Sequence, residues 1–260
     1  MVKSADRVVR ILEYVGQKGE GYTHIQIASA LGIPKSSLTA LLTNLIDTEY
    51  LTYDPATKRY SLGPQLLYLA GRFLENLDIV PVGQPFVKRL CQMTDESVAM
   101  AIPSGNDVLF VCKENSPQPI LRSLEVGARL PVYATAAGKA IMAFWPQERI
   151  DEYLASGPLS PITKDTVVKA DRIRAELEAI RHGGLSYSRD GFQEGVSAFG
   201  RPVFDAHGRA AASLAVSGPS FRVDKAKEDL IEKCLIQIAE ELSHQLGFHG
   251  RAVAGGSGRY

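Results

Sequence analysis

Between residues 23 and 48 the chain carries a set of small polar side chains with nothing to bury them. A helix expected over residues 35–48 places Leu38, Leu41, Leu42 and Leu45 on one face. The positions left over are Lys35, Ser36, Ser37, Thr39, Ala40, Thr43 and Asn44, of which only Lys35 is charged. Such side chains suit close approach to base edges. Hydroxyls bond to phosphates or bases, an Asn amide pairs with adenine, and a Thr or Ala methyl meets the thymine methyl. Thr23, at the start of the preceding segment, belongs to the same candidate set. So do Lys58 and Arg59, which a hairpin would bring to phosphates or a minor groove.

The second chemical feature lies far downstream. Ala136, Ala137 and Gly138 stand where a helix is expected to begin. Free backbone amides and the helix dipole attract a carboxylate at such a place, and small side chains leave room for it. Tight helix packing accounts for the same small residues equally well.

The elements that must hold these groups follow from periodicity. Val8, Ile11, Leu12 and Val15 mark an amphipathic helix, which Gly19 and Gly21 interrupt. Thr23 can cap a second helix bearing Ile27, Ala28 and Leu31, and Gly32 can end it in a left-handed conformation. Pro34 suits the first turn of the third helix. The segment EYLTYDPATKRYSL then reads as a hairpin with its tip at Asp54-Pro55. In a helix–turn–helix module of this kind the second helix braces the backbone while the third enters the major groove. A three-helix packing module that touches no nucleic acid fits the same pattern, since residues 1–63 carry seven Lys/Arg against six Asp/Glu.

Leu66, Leu69, Phe73 and Leu77 continue a helical stripe, which suits a partner helix across a two-fold axis. Pro81 and Pro85 are expected to interrupt the stretch that follows. From Ser97 onward short strands (SVAMAI, VLFVC, ILRSLE, RLPVY, LSYS, SAFGRPVFD, RAAASLAVSG) mix with helices over ATAAGKAIMAFW, residues 169–181 and residues 224–245. That mixture without strict alternation predicts an α+β domain with an antiparallel sheet.

Composition narrows the class. The 260 residues hold 29 Lys+Arg and 29 Asp+Glu, which fits neither a polycation nor an acidic tail. With 45% hydrophobic residues the chain can bury a core. No apolar run approaches the ~20 residues of a membrane helix. The first fifteen residues carry charges where a signal peptide has its apolar stretch, so a cytoplasmic location with no membrane partner is expected. Cys91, Cys112 and Cys234 form neither a disulfide framework nor a zinc pattern, and no metal or cofactor is expected. The five histidines show no i, i+4 pairing and are expected on the surface or in loops. AAGK lacks the first glycine of a phosphate loop, and GVSAF has Phe199 where GxSxG needs glycine. An enzyme acting on small carboxylates, with the N-terminal head as an appendage, is the alternative. No nucleophile–base pair in the sequence supports it.

The ordered segments SADRVVRILEYV, LGIPKSSLTALLTNLIDTEYL, KRYSLGPQLLYLA, GARLPVYATAAGKAIMA and GFQEGVSAFGRPVFDAHGRAAASLAVSGP resemble the IclR family of bacterial transcription regulators over about residues 4 to 246. The resemblance implies a winged helix–turn–helix at residues 1–63, a linker and dimerisation helix at 64–79, a GAF/profilin-like effector-binding domain at 80–249, and a disordered tail at 250–260. It implies a non-enzymatic regulator, acting as a dimer or tetramer on a roughly palindromic operator near the nucleoid. By position, the family's effector contacts fall on the turn at Ala136, Ala137 and Gly138, and on Ser188, Ala198, Ala215 and Ser217. Three of these depart from the family pattern: Ser188 for Asp, Ala198 for Cys and Ala215 for Ser. Gly191 stands where the family often has an acidic residue. These changes remove polarity and volume, which predicts an aromatic or longer-chain carboxylate rather than glyoxylate or pyruvate. Arg201, in place of a small residue, could pair with the ligand carboxylate or make a salt bridge elsewhere.

Overall fold

A computed structural model describes residues 3–75, 79–118 and 125–249. It divides the chain into two compact units, residues 1–77 and 78–260.

In the first unit, α1 (Lys3–Val15) buries Ile11 and Val15. Helix α2 (His24–Leu31) opens with a full capping box. The Thr23 hydroxyl accepts from the Gln26 amide, and the Gln26 side chain accepts from the Thr23 amide. It ends at Gly32, whose φ of 63° is the left-handed conformation that stops a helix there. The chain then turns through 118° into α3 (Lys35–Asp47), which buries Leu38, Leu42 and Leu45. Strands β2 (Leu51–Asp54) and β3 (Arg59–Leu62) form the expected hairpin. A two-residue strand, β1 (Tyr22–Thr23), adds to the other side of β3 and had no periodicity to announce it. Tyr22, Ile27, Ile33 and Leu51 join the helix residues in one core. This is a winged helix–turn–helix.

Helix α4 (Pro64–Glu75) follows. Leu66 is half-buried, whereas Leu67 is 78% exposed, Tyr68 60% and Leu69 43%. Of the expected stripe, Leu69 is exposed and Leu66 partly so, and Leu67 and Tyr68 add exposed apolar surface beside them. The side chain of Phe73 and residue Leu77 lie outside the described residues.

The second unit starts with α5 (Ile79–Thr94), which runs unbroken through Pro81 and Pro85. The expected interruption is absent for a local reason. Pro81 sits in the first turn, where its amide would have no partner, and Pro85 forfeits one hydrogen bond in a helix anchored by buried Val87, Leu90 and Cys91. Strands β4 (Ser97–Ser104), β5 (Asp107–Glu114) and β6 (Arg129–Pro131) precede α6 (Ala136–Met142), α7 (Gln147–Ala155) and α8 (Ala170–Arg181). Strands β7 (Ser186–Arg189), β8 (Val196–Phe204) and β9 (Ala210–Pro219) then lead, through a short 3-10 turn, to α9 (Lys225–Gln245), capped by Asp224 as expected. The strand expected over residues 120–125 lies almost wholly outside the described residues, as does the tail from 250. Helix α7 was not expected; it is mostly polar and buries only Ile150.

The strands make one antiparallel sheet in the order β6-β5-β4-β9-β8-β7. Helices α5 and α9 cover one face, and α6 lies across the other with α8 behind it. Alternation along the strands decides which residues meet which layer. Ala99, Ala101, Phe110 and Ala215 share a core with Ala137 and Ile141 of α6 and with Ile173 and Leu177 of α8. The arrangement is that of a GAF/profilin-like domain. Among the described residues no single helix is long and apolar enough to cross a membrane.

Candidate functional site

Two sites emerge, one in each unit. In the first, the exposed side of α3 holds Lys35, Ser36, Thr39, Ala40, Thr43 and Asn44, with Ser37 half-buried at its edge. No acidic side chain interrupts this surface before Asp47. Thr39 is not free: its hydroxyl donates to the Lys35 carbonyl (2.9 Å) and lies 3.0 Å from Nε2 of His24. His24, in the first turn of α2, is half-buried beside the exposed face of α3. Its position right after a cap residue, in a module whose second helix begins beside the third, is the signal that could have marked it.

At the wing, Asp54 organises the turn by accepting from the Ala56 amide (2.9 Å) and the Thr57 hydroxyl (2.6 Å). The Thr57 bond is the main cause holding this carboxyl below its usual pKa. Lys58 closes the turn with φ of 55° and is exposed. Arg59 differs. It begins β3, and its guanidinium donates to the Gly21 carbonyl (2.8 Å), which ties the wing to the loop before β1. Thr23 spends its hydroxyl on the α2 cap.

In the second unit a cavity with about 70 Å³ of room for the centres of water molecules lies between α6 and the sheet. A single water needs only about 10–15 Å³ on this measure. Ala136, Ala137, Ser188, Ala198, Ala215 and Ser217 all line it. The sequence did not point to Ala99, Phe110, Leu130, Phe192, Gln193 and Val196, nor to Thr135, which complete the wall. Most of these are apolar strand residues whose facing depends on register, so no local signal marks them.

Two of the expected residues are not in the wall. Gly138 lies behind it, where a Cβ would stand 2.4 Å from the Cα and carbonyl oxygen of Val132, so glycine serves packing at that position. Its amide is taken by the Thr135 hydroxyl (3.0 Å). Arg201 is on the opposite face of the sheet. It is three residues from Ala198 on the same strand, and odd spacing reverses the side. There its guanidinium donates to the carbonyls of Gly183 (2.5 Å) and Gly184 (3.0 Å), with Glu240 3.9 Å away. Burial lowers its pKa. Among the described residues no ionisable side chain lines the cavity.

The polar groups around it are mostly engaged. Ser188 donates to the Ala134 carbonyl (3.0 Å) and Ser186 to the Ala136 carbonyl (2.6 Å), so edge strand β7 holds the turn that starts α6. The loop bearing Phe192 and Gln193 is fixed from both sides. Thr163 donates to the Asp190 carbonyl (2.6 Å) and Thr166 to the Gly191 carbonyl (2.6 Å). The Asp190 carboxylate accepts from the Gly195 amide (2.7 Å) and the Ser220 hydroxyl (3.1 Å). Cys91, Cys112 and Cys234 are buried, their thiols pushed up in pKa chiefly by burial. Among the described residues no three His, Cys, Asp or Glu side chains gather as a metal site.

Comparison with known proteins agrees with this geometry. The IclR helix-turn-helix domain matches residues 4–55, and the bacterial transcriptional regulator IclR C-terminal domain matches residues 71–244. The chain is 26% identical over 223 residues to the HTH-type transcriptional regulator KipR of Bacillus subtilis, covering 86% of this chain and 89% of that one. Its fold matches the IclR of Thermotoga maritima with a TM-score of 0.81 at 24% identity, over 95% of this chain and all of that one. It also matches an IclR homologue from Microbacterium hydrocarbonoxydans complexed with 4-hydroxybenzoate, with a TM-score of 0.78 at 23% identity, over 93% and 99% of the two chains.

Proposed function

Given that the chain belongs to the IclR family of bacterial transcriptional regulators, we propose that it binds operator DNA through α3 and the wing, and that a small carboxylate held under α6 changes that affinity. The observation that carries the first part is the outward face of α3, polar, compact and free of acidic groups from Lys35 to Asn44. Lys35, Ser36, Ser37, Thr39, Ala40, Thr43 and Asn44 meet bases and phosphates, while Thr23 and Lys58 flank them on the backbone. Arg59 fixes the wing rather than reaching out. Exposed Leu67, Tyr68 and Leu69 on α4 support a homodimer, with the linker segment 64–79, in which α4 lies, as its contact. A two-fold dimer reads half-sites about one helical turn, ~34 Å, apart, hence a roughly palindromic operator. Such a protein works on the chromosome in the cytoplasm.

The effector reading rests on the cavity wall. Ala136, Ala137, Ala198 and Ala215 give it width, Phe110 and Phe192 give it flat apolar surface, and Ser217 and Gln193 add neutral polar groups. With no cation in the wall among the described residues, a carboxylate there depends on the amides of Ala136 and Ala137 and on neutral donors. An aromatic acid fits this balance, since its ring supplies most of the buried area. The 4-hydroxybenzoate bound by the Microbacterium homologue supports the same class. Coupling is by linkage: an effector that changes operator affinity by some factor has its own affinity changed by that factor when DNA binds.

The test is anisotropy titration of the full chain with a duplex selected by it from a randomised library, repeated with benzoate, 4-hydroxybenzoate, pyruvate and glyoxylate. The expected result is sequence-selective binding that benzoate-like acids shift and pyruvate does not. Selection of no duplex at low salt would overturn the DNA reading. Tight binding of pyruvate or glyoxylate, with none of the aromatic acids, would overturn the effector reading.

A further inference from the structure

The Thr39 hydroxyl has one hydrogen and two groups within reach of it. The Lys35 carbonyl, 2.9 Å away and one helical turn back, can only accept. Nε2 of His24, 3.0 Å away, donates in one tautomer and accepts in the other. Both contacts are hydrogen bonds at once only if the hydroxyl donates to the carbonyl and Nε2 carries the hydrogen. A hydroxyl oxygen has two lone pairs. One is occupied by His24, and the other remains on the exposed side of α3. Thr39 then presents to a DNA groove one acceptor and one methyl group, and no donor.

We propose that His24 is a positioning residue for base recognition: by donating to Thr39 it fixes that hydroxyl as an acceptor, so that Thr39 selects a base edge bearing an exocyclic amino group. In the major groove these are N6 of adenine and N4 of cytosine. Guanine O6 and N7 and thymine O4 need a donor instead. The inference rests on the proposed entry of α3 into the groove and adds a base preference that the α3 sequence alone does not contain. A free Thr hydroxyl donates or accepts as the partner requires.

The experiment compares the full-length wild type with His24→Leu, His24→Gln, Thr39→Val and the double variant His24→Leu/Thr39→Val on the library-selected duplex. Each is measured on duplexes carrying all four base pairs at every position. Neither side chain belongs to the buried core of the head, and His24→Gln keeps an N–H donor. His24→Leu is expected to weaken binding about five- to tenfold and to relax preference at one base pair, where wild type favours adenine and cytosine over guanine and thymine on one and the same strand. Thr39→Val should relax the same position, His24→Gln should recover the preference, and the double variant should lose no more than either single one. The salt dependence of binding should be unchanged, because no phosphate contact is removed. Additive losses, a relaxed position whose wild-type ranking does not set adenine and cytosine on one strand apart from guanine and thymine, or an altered salt slope would overturn the role assigned to His24. If the wild type selects no duplex at all, the DNA reading fails first. That outcome is told apart by needing no variant.

Discussion

The two units treat their polar side chains in opposite ways. On α3 the hydroxyls of Ser36, Thr39 and Thr43 and the Asn44 amide stand exposed, and of these, among the described residues, only the Thr39 side chain is tied to groups near it. Around the cavity under α6, Ser186, Ser188, Thr135, Thr163 and Thr166 are spent on backbone carbonyls and amides that fix the wall. The contrast follows from what each surface meets. A groove-binding helix meets a large, hydrated partner that brings its own donors and acceptors, so its side chains stay unspent until binding. A small-molecule pocket must exist before its ligand arrives, so its polar groups hold geometry and the recognition falls to a few left over. Removing a polar group from the second unit should therefore cost folding, and removing one from α3 should cost binding.

The largest effect is expected at the base of the effector unit. Glu96 is fully buried and takes two bonds from the Arg222 guanidinium, at 2.9 and 2.6 Å, with the Lys227 ammonium 3.9 Å away. Arg222→Met leaves a buried carboxylate with only the more distant lysine. A loss of about 3 kcal/mol is expected by denaturant unfolding of the full chain, at the low end for a broken buried pair because Lys227 remains. A loss below about 1 kcal/mol would mean that this unit's charges are as dispensable as surface ones. Next comes Gly138→Ala, which forces a methyl against the Val132 backbone beneath α6. Overpacking of this kind costs about 1–3 kcal/mol. Because α6 forms one wall of the cavity, calorimetry with 4-hydroxybenzoate should show weaker binding as well.

How far the sequence revealed each site has the same physical basis. The face of α3 was legible because helix periodicity is local: four leucines over eight positions fix which side is buried, and Thr23 and Gly32 mark the ends of the neighbouring helix. His24 was not, because its contact spans fifteen residues and depends on the angle between two helices. In the second unit Ala136 and Ala137 were marked by an expected helix start and Ala198, Ala215 and Ser217 by resemblance to a family, whereas Phe110, Leu130 and Val196 look like any strand residue until register is known. Arg201 was placed near the ligand by its chemistry, although its odd separation from Ala198 already put the two on opposite faces. The unbroken α5 shows the reverse error, in which a local rule about proline gave way to tertiary burial.

Arg201→Ala sharpens the comparison from the side of the sheet away from the cavity. The two carbonyls of Gly183 and Gly184 lose their donor, and a destabilisation of about 1–2 kcal/mol is expected in thermal or denaturant unfolding. Effector affinity, measured by calorimetry below the melting transition, should stay within about twofold of wild type, since no atom of Arg201 reaches the cavity. A tenfold loss of effector affinity with the fold intact would contradict the assignment of faces.

The smallest effect on folding, and the sharpest on binding, belongs to Thr43→Ala. Thr43 is exposed on α3, and Ala is the better helix former because it has no β-branch to restrict. The variant is therefore expected to be as stable as wild type or more stable by a few tenths of a kcal/mol, well inside the ±0.5 kcal/mol typical of exposed sites. Its affinity for the selected duplex should nevertheless fall about tenfold if Thr43 meets a base edge. That combination separates the two units more cleanly than any destabilising change. A loss of DNA affinity with no loss of stability assigns the exposed Thr43 side chain to the partner rather than to the fold. Unchanged stability with unchanged DNA affinity would place Thr43 outside the groove.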